Sequence, residues 1–170
     1  MTKEPNDITA QIKYKNIEKT FSGKTEDVWL SINKFFQEFI PTFEIANKLM
    51  LNIDLQKLIK NSEGIIAFSK EGPSLLVSRN KLTDNETLIL WLLANYLGHQ
   101  LGILKKEALS KEELQAKLGK DAKITSTRLG ELAKNQIAVR TADEEYRITT
   151  FGITQAQKEI LPKIKAKMGT

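Results

Sequence analysis

The sequence predicts an α+β protein in two parts: a small unit of element order ββαααββ over residues 8–78, and a mostly helical part over residues 82–170. Two kinds of pattern predict this class. Apolar residues alternate with polar ones near the N-terminus, as in strands, and later recur every three or four residues, as in helices. The polar segment 79–81 is predicted to be a short linker, and residues 1–7 a loose terminus.

The first part begins with a predicted β-hairpin. Apolar residues alternate from Ile8 to Tyr14, a turn follows at residues 15–16, and a second alternating run ends near Gly23. This period of two predicts two strands with one buried face.

Three helices and a second hairpin are predicted next. Thr25, Thr42 and Asp54 stand where capping residues begin helices, and Pro41 ends the first of them. The first helix carries the stripe Val28, Trp29, Ile32, Phe35, Phe36, Phe39 and Ile40; the second carries Phe43, Ala46, Leu49 and Met50; the third carries Leu55, Leu58 and Ile59. The aromatic residues are interpreted as a core, with a dimer surface or a small-ligand pocket as the alternative. Two apolar runs around Gly72 predict the hairpin.

The second part opens on a long helix. Thr83 and Glu86 form a capping-box pattern, and Gly102 is placed to end the helix after about Leu101. Its residues are apolar on most of the circumference, which predicts burial on two sides. Its own domain would cover one side, and the first part or a second copy of the chain would cover the other.

Two shorter helices, two strands and a last helix follow. A second capping box at Ser110 and Glu113, with a hydrophobic staple from Leu109 to Leu114, begins a helix that ends near Gly119. The remaining predicted elements are a helix over 123–134, strands over 137–140 and 146–149, and a helix bearing Ile153, Ala156, Ile160 and Ile164.

The runs LSKEELQAKLG, ITSTRLGELAKNQIAVR and EYRITTFG resemble the winged helix-turn-helix transcription regulators common in archaea and bacteria. The resemblance covers about half the chain and implies a winged-helix domain over residues 82–170. Two positions depart from the family pattern. Gln136 stands where the family usually has glycine, so Asn135 is expected to adopt the left-handed backbone instead. Thr125 stands where the family prefers valine or isoleucine, and its hydroxyl needs a partner.

The resemblance implies that the helix over 123–134 enters the major groove of double-stranded DNA. Arginine can bond bidentately to guanine, serine and threonine can contact bases or phosphate, and lysines neutralise phosphates. Between residues 117 and 140 there are six lysines and arginines against two acidic residues. The candidate DNA-binding residues are Lys117, Lys120, Lys123, Ser126, Thr127, Arg128, Lys134 and Arg140.

In the resemblance, the strands over 137–140 and 146–149 with the turn between them form the wing, and this wing points to a second interpretation. Its tip, residues 143–145, consists of three carboxylates, which phosphate repels. A winged-helix module for protein–protein interaction or assembly, without direct DNA contact, is therefore the alternative function. A homodimer is expected for DNA binding, because one winged helix offers only a small DNA footprint and two copies read two half-sites; a protein partner is the alternative, and the first part is a candidate dimerisation or sensing domain.

Composition limits the other classes of function. The net charge of +5 permits an anionic partner, and the absence of cysteine excludes thiolate metal sites and cysteine nucleophiles. The single histidine, His99, has no second ligand at metal spacing, and no glycine-rich phosphate loop occurs. We therefore expect no enzymatic activity, no cofactor and no metal. No run of apolar residues predicts a membrane span or signal peptide, so a cytoplasmic protein is expected.

Overall fold

The structure, a computed structural model, describes residues 7–14, 17–39 and 51–169. The chain is an α+β protein whose contacts divide it into two compact units, residues 1–50 and residues 51–170. The strands of these described residues form two-stranded antiparallel sheets. None of the helices among them is both long enough and apolar enough to cross a membrane.

The described residues of the first unit form a hairpin and one helix. Strands β1 (Asp7–Tyr14) and β2 (Ile17–Lys24) pair antiparallel along their whole length, and helix α1 (Thr25–Phe39) packs against both. These elements confirm the predicted hairpin and first helix.

The apolar stripe of α1 is only partly buried. Val28 and Phe35 are buried, and Phe35 meets the ring of Phe21 edge-on at 6.1 Å between ring centroids. Trp29 is 65% exposed, so its prediction as a core residue is wrong. Trp29 directly follows the buried Val28 and therefore lies about 100° further round the helix, at the margin of the stripe. The predicted second helix, with Phe43, Ala46, Leu49 and Met50, falls outside the described residues.

The second unit begins with elements that the sequence assigned to the first part. Helix α2 (Leu55–Ser62) is capped by Asp54, whose carboxylate accepts the backbone N–H of Lys57 at 3.0 Å. Strands β3 (Ile66–Ser69) and β4 (Gly72–Leu75) then form the second predicted hairpin.

The remaining elements of the second unit follow in chain order. They are a 3-10 turn (Arg79–Lys81), α3 (Asp84–Gln100), α4 (Lys111–Leu118), α5 (Ala122–Lys134), β5 (Ala138–Arg140), β6 (Tyr146–Ile148), α6 (Thr150–Gln155), a π-helical turn (Ala156–Ile160) and α7 (Leu161–Met168). The last three continue one another without a break. Leu109 extends the β5–β6 sheet by exchanging two backbone hydrogen bonds with Tyr146, at 2.9 and 2.8 Å.

Helix α3 is the centre of this unit. The β3–β4 hairpin packs on one side of it, and α4, α5 and β6 pack against it as well. Residues from Leu58 through to Ile164 therefore share one hydrophobic core. This explains the apolar circumference of α3 without a second copy of the chain. It also places segment 79–81, predicted to be a linker between domains, inside the second compact unit.

In this unit, the side chain at the start of each of three helices accepts a backbone N–H of the helix's first turn. Both predicted capping boxes are present, Thr83 with Glu86 and Ser110 with Glu113. Asp121 caps α5 through its own carboxylate alone, which accepts the N–H of Ile124 at 2.8 Å. The buried hydroxyl of Thr125 donates to the Asp121 carbonyl at 2.9 Å, which satisfies the group that the sequence left without a partner.

The end of α5 differs from the expectation. Asn135 keeps φ −84°, whereas Gln136 takes φ +60°, so the left-handed residue is the one at the usual glycine position. The N–H of Gln136 bonds the Ala133 carbonyl at 3.0 Å, and that of Ile137 bonds the Leu132 carbonyl at 2.9 Å. This pair of bonds is the Schellman motif, which requires its left-handed residue one place beyond Asn135.

Replacing Gln136 by glycine is expected to raise the free energy of unfolding by about 1 kcal/mol, because glycine adopts positive φ without the steric cost of a Cβ. Urea unfolding followed by circular dichroism measures the change. The matched variant Asn135→Gly should instead be neutral or destabilising, because φ at that residue is negative. Equal effects at the two positions would contradict this account of the turn.

Candidate nucleic-acid interface

Helix α5 presents one face to the core and the opposite face outwards. Thr125, Leu129 and Leu132 are buried, at the spacing that places them on one side of a helix. We call the exposed polar residues and the glycine on the other side the α5 face, together with Lys120 in the preceding turn. They are Lys120, Lys123, Ser126, Thr127, Gly130 and Lys134.

The positive charge of the α5 face comes from lysine alone. Lys120, Lys123 and Lys134 are exposed, and within the described part of the chain none of them lies within ion-pair distance of a carboxylate. Their charges are therefore available to an anionic partner.

The other members of the α5 face are small. The Ser126 hydroxyl donates to the Ala122 carbonyl at 2.7 Å, and the Thr127 hydroxyl donates to the Lys123 carbonyl at 3.0 Å. Both hydroxyls thus keep only lone pairs to offer a partner. A Cβ built on Gly130 would meet no atom within 4 Å beyond its own stretch of helix, so no packing contact from another element requires glycine there. Gly130 is the residue of this face that sequence reasoning missed, although a glycine inside a helix is a signal because it lowers helix stability.

Arg128, predicted to reach a base, instead bonds within the protein. Its Nη1 lies 2.9 and 3.0 Å from the two carboxylate oxygens of Glu131, and its Nε lies 3.7 Å from Asp84. Asp84 also pairs with Arg79 at 2.6 Å. Hydrogen bonds from Asn85 and Arg128 lower the pKa of Glu131. Arg128 therefore ties α5 to the start of α3.

Lys117 also lies apart from the α5 face. Its Nζ sits 3.9 Å from the centroid of the Trp91 ring, a cation–π contact, and burial lowers the pKa of the Lys117 ammonium. Lys117 and Trp91 border a groove of about 420 Å³. Leu75, at the end of β4, and Val77, just after it, also line this groove. The side chain of Lys117 therefore lies beside the end of β4 and not on the α5 face.

The loop between β5 and β6 holds Arg140 in an ion pair. Arg140 Nη2 lies 2.9 Å from Glu144, and Lys106 lies 3.0 Å from Glu145. The hydrogen bond to Glu145 raises the pKa of Lys106. Asp143 and Glu144 are both exposed at the tip, so the loop presents carboxylates to solvent.

Of the eight candidate residues, five lie on the α5 face and three do not. The five are Lys120, Lys123, Ser126, Thr127 and Lys134. Lys117, Arg128 and Arg140 have partners within the protein. Among the described residues, no group of three or more histidine, cysteine or acidic side chains is arranged to hold a metal ion.

Comparison of the chain with protein-family models, with curated proteins and with solved structures finds no match. A functional assignment therefore depends on the chemistry of the α5 face.

Proposed function

We propose that the second unit contains a winged-helix domain that binds double-stranded DNA, with α5 as its recognition helix and the β5–β6 hairpin as its wing. The observation that carries the proposal is the set of three exposed lysines on the α5 face, none of which has a carboxylate partner in the described structure. Phosphate is the partner that clustered lysines recognise in nucleic acids.

The spacing along α5 suits a groove. Lys123 and Lys134 are separated by about 16 Å along the helix axis, from the rise per residue of an α-helix. The major groove of B-DNA is about 12 Å wide, so the two ammonium groups are able to reach phosphates on opposite strands. Ser126 and Gly130 lie between them and are small enough for the helix to approach the bases closely.

The double variant Lys123→Ala with Lys134→Ala is expected to weaken binding to a mixed-sequence duplex by about tenfold, because each lysine lost removes one phosphate contact. Fluorescence anisotropy of the full chain, repeated over a series of salt concentrations, measures this. The matched control is Lys57→Ala with Lys60→Ala, which removes two exposed lysines from α2, a helix that packs against α7. A loss of affinity as large for the control as for the double variant would count against the α5 face.

A second pair of variants separates charge from fold. Because a Cβ at Gly130 would meet no atom within 4 Å beyond its own stretch of helix, and the position is exposed, Gly130→Glu and Gly130→Gln should both fold. Only the glutamate places a carboxylate between the lysines, so it alone should abolish binding, while glutamine retains it at a reduced level. No binding by the unaltered protein at low salt would overturn the proposal.

The exposed carboxylates at the wing tip favour one alternative, a winged-helix module that contacts another protein instead of DNA. Asp143 and Glu144 would repel phosphate and suit a basic protein surface. Failure to bind any duplex at low salt would favour this function. Homodimerisation is proposed for the DNA-binding function, and light scattering that gives the monomer mass of 19.3 kDa at high micromolar concentration would contradict it.

A further inference from the structure

We infer that the α5 face binds duplex DNA without preference for base sequence. The inference rests on the proposed function and concerns what the same surface is able to read. Every arginine of the chain lies within ion-pair distance of a carboxylate of the chain. The pairs are Arg79 with Asp84 at 2.6 Å, Arg128 with Glu131 at 2.9 Å, Arg140 with Glu144 at 2.9 Å and Arg147 with Glu107 at 3.7 Å.

Arginine matters here because its two parallel N–H groups match the O6 and N7 acceptors of guanine, while asparagine and glutamine match adenine. Helix α5 contains neither asparagine nor glutamine, and Arg128 is its only arginine. The hydroxyls of Ser126 and Thr127 already donate to carbonyls of their own helix. The hydrogen-bond donors left on the α5 face are lysine ammonium groups, which bind phosphate as point charges.

The two carboxylates that pair with Arg128 belong to helices of the second unit. Glu131 stands one turn further along α5, and Asp84 is the first residue of α3, whose following turns are buried in the core. The Arg128 side chain is only 39% exposed. Turning Arg128 into a groove would leave Glu131 without this counter-ion and Asp84 with Arg79 alone. The interactions within the protein therefore compete directly with any base contact.

Phosphate contacts through three lysines have a measurable signature. The logarithm of the binding constant should fall with the logarithm of the salt concentration with a slope of about −2.7, the value for three neutralised phosphates. The same slope should hold for every duplex, because the backbone is common to all sequences.

The experiment compares the full chain on three labelled duplexes of equal length, one rich in A·T pairs, one rich in G·C pairs and one mixed. Dissociation constants within about threefold of one another are expected, since lysine–phosphate contacts carry no sequence information. A preference of about tenfold or more for one duplex, the size that a single bidentate base contact provides, would overturn the inference and leave the proposed function intact. No binding to any duplex would overturn both.

A charge-neutral variant tests Arg128 directly. Arg128→Met combined with Glu131→Ala removes one positive and one negative charge and keeps good helix formers at both positions. Affinity within about twofold of the unaltered protein on all three duplexes supports the inference, because only an internal pair has been lost. A loss of about tenfold confined to the G·C-rich duplex would show that Arg128 reads guanine and would overturn it. The circular dichroism spectrum of the variant, compared with that of the unaltered protein, checks that the variant is folded.

Discussion

Replacing Gly152 by alanine should destabilise the protein by about 3 kcal/mol or more, at the upper end of the cost of overpacking a core. A Cβ on Gly152 would lie 2.1 Å from the carbonyl oxygen of Ile137 and 2.9 Å from the carbonyl carbon. That oxygen accepts the N–H of Thr149 at 2.9 Å, so the clash involves backbone that joins the end of α5 to the start of α6. Backbone held at both ends cannot move aside as a side chain does. Urea unfolding followed by circular dichroism measures the loss.

Gly130→Ala is the matched control for that substitution. It makes the same change within a helix of the same unit, but its Cβ would meet no atom within 4 Å beyond its own stretch of helix. Alanine is the better helix former, so this variant should gain about 1 kcal/mol. Opposite signs for the two variants are expected. A free energy of unfolding for Gly152→Ala within about 0.5 kcal/mol of the unaltered protein would show that the close approach to Ile137 does not exist.

Replacing Glu86 by glutamine should cost about 2 kcal/mol of stability at neutral pH, because a buried carboxylate loses its ion pairs. Glu86 accepts the backbone N–H of Thr83 at 2.8 Å, and Lys163 and Lys167 each approach its carboxylate at 3.0 Å. Its side chain is only 8% exposed. Glu112→Gln is the control, since Glu112 also lies in the first turn of a helix, α4, but is exposed. A similar cost for both variants would contradict this account.

The same carboxylate predicts a dependence on pH. Burial alone would raise the pKa of Glu86. The hydrogen bond from the Thr83 N–H and the ammonium groups of Lys167 and Lys163 have a larger, opposite effect, so the pKa falls from an ordinary value of 4.5 to about 2. A depressed pKa in the folded state stabilises the protein fully above pH 4.5, and the contribution is lost as the pH falls towards 2. This contribution is at most about 3 kcal/mol. The free energy of unfolding, measured between pH 4.5 and pH 2, should show this loss in the unaltered protein and lack it in Glu86→Gln.

Much of the second unit was predictable because the signals are local. A capping box needs only residues three apart, and a helical stripe needs only its own spacing, so the starts of α3 and α4 were predicted correctly. The left-handed residue after α5 was misplaced by one position. Propensity favoured Asn135, but the two hydrogen bonds that close the helix determine the position, and they select Gln136.

The candidate site was predictable only in part, for a different reason. The position of a lysine on a helix face follows from its number, so Lys123 and Lys134 were expected on the exposed side of α5. The partner of a charged side chain depends on which other element packs beside it. Arg128 meets Asp84 only because α3 and α5 are in contact, although the two are 44 positions apart in the sequence. Lys117 meets Trp91 for the same kind of reason.

The sequence by itself determined the α+β class, the starts of the main helices of the second unit and the basic character of α5. These depend on interactions between neighbouring residues, which a linear pattern records. Only the tertiary structure decided that the β3–β4 hairpin shares a core with α3, that Gly152 has no room for a Cβ, and that every arginine is paired within the chain. Each of these depends on the distance between residues far apart along the chain, and packing alone sets that distance.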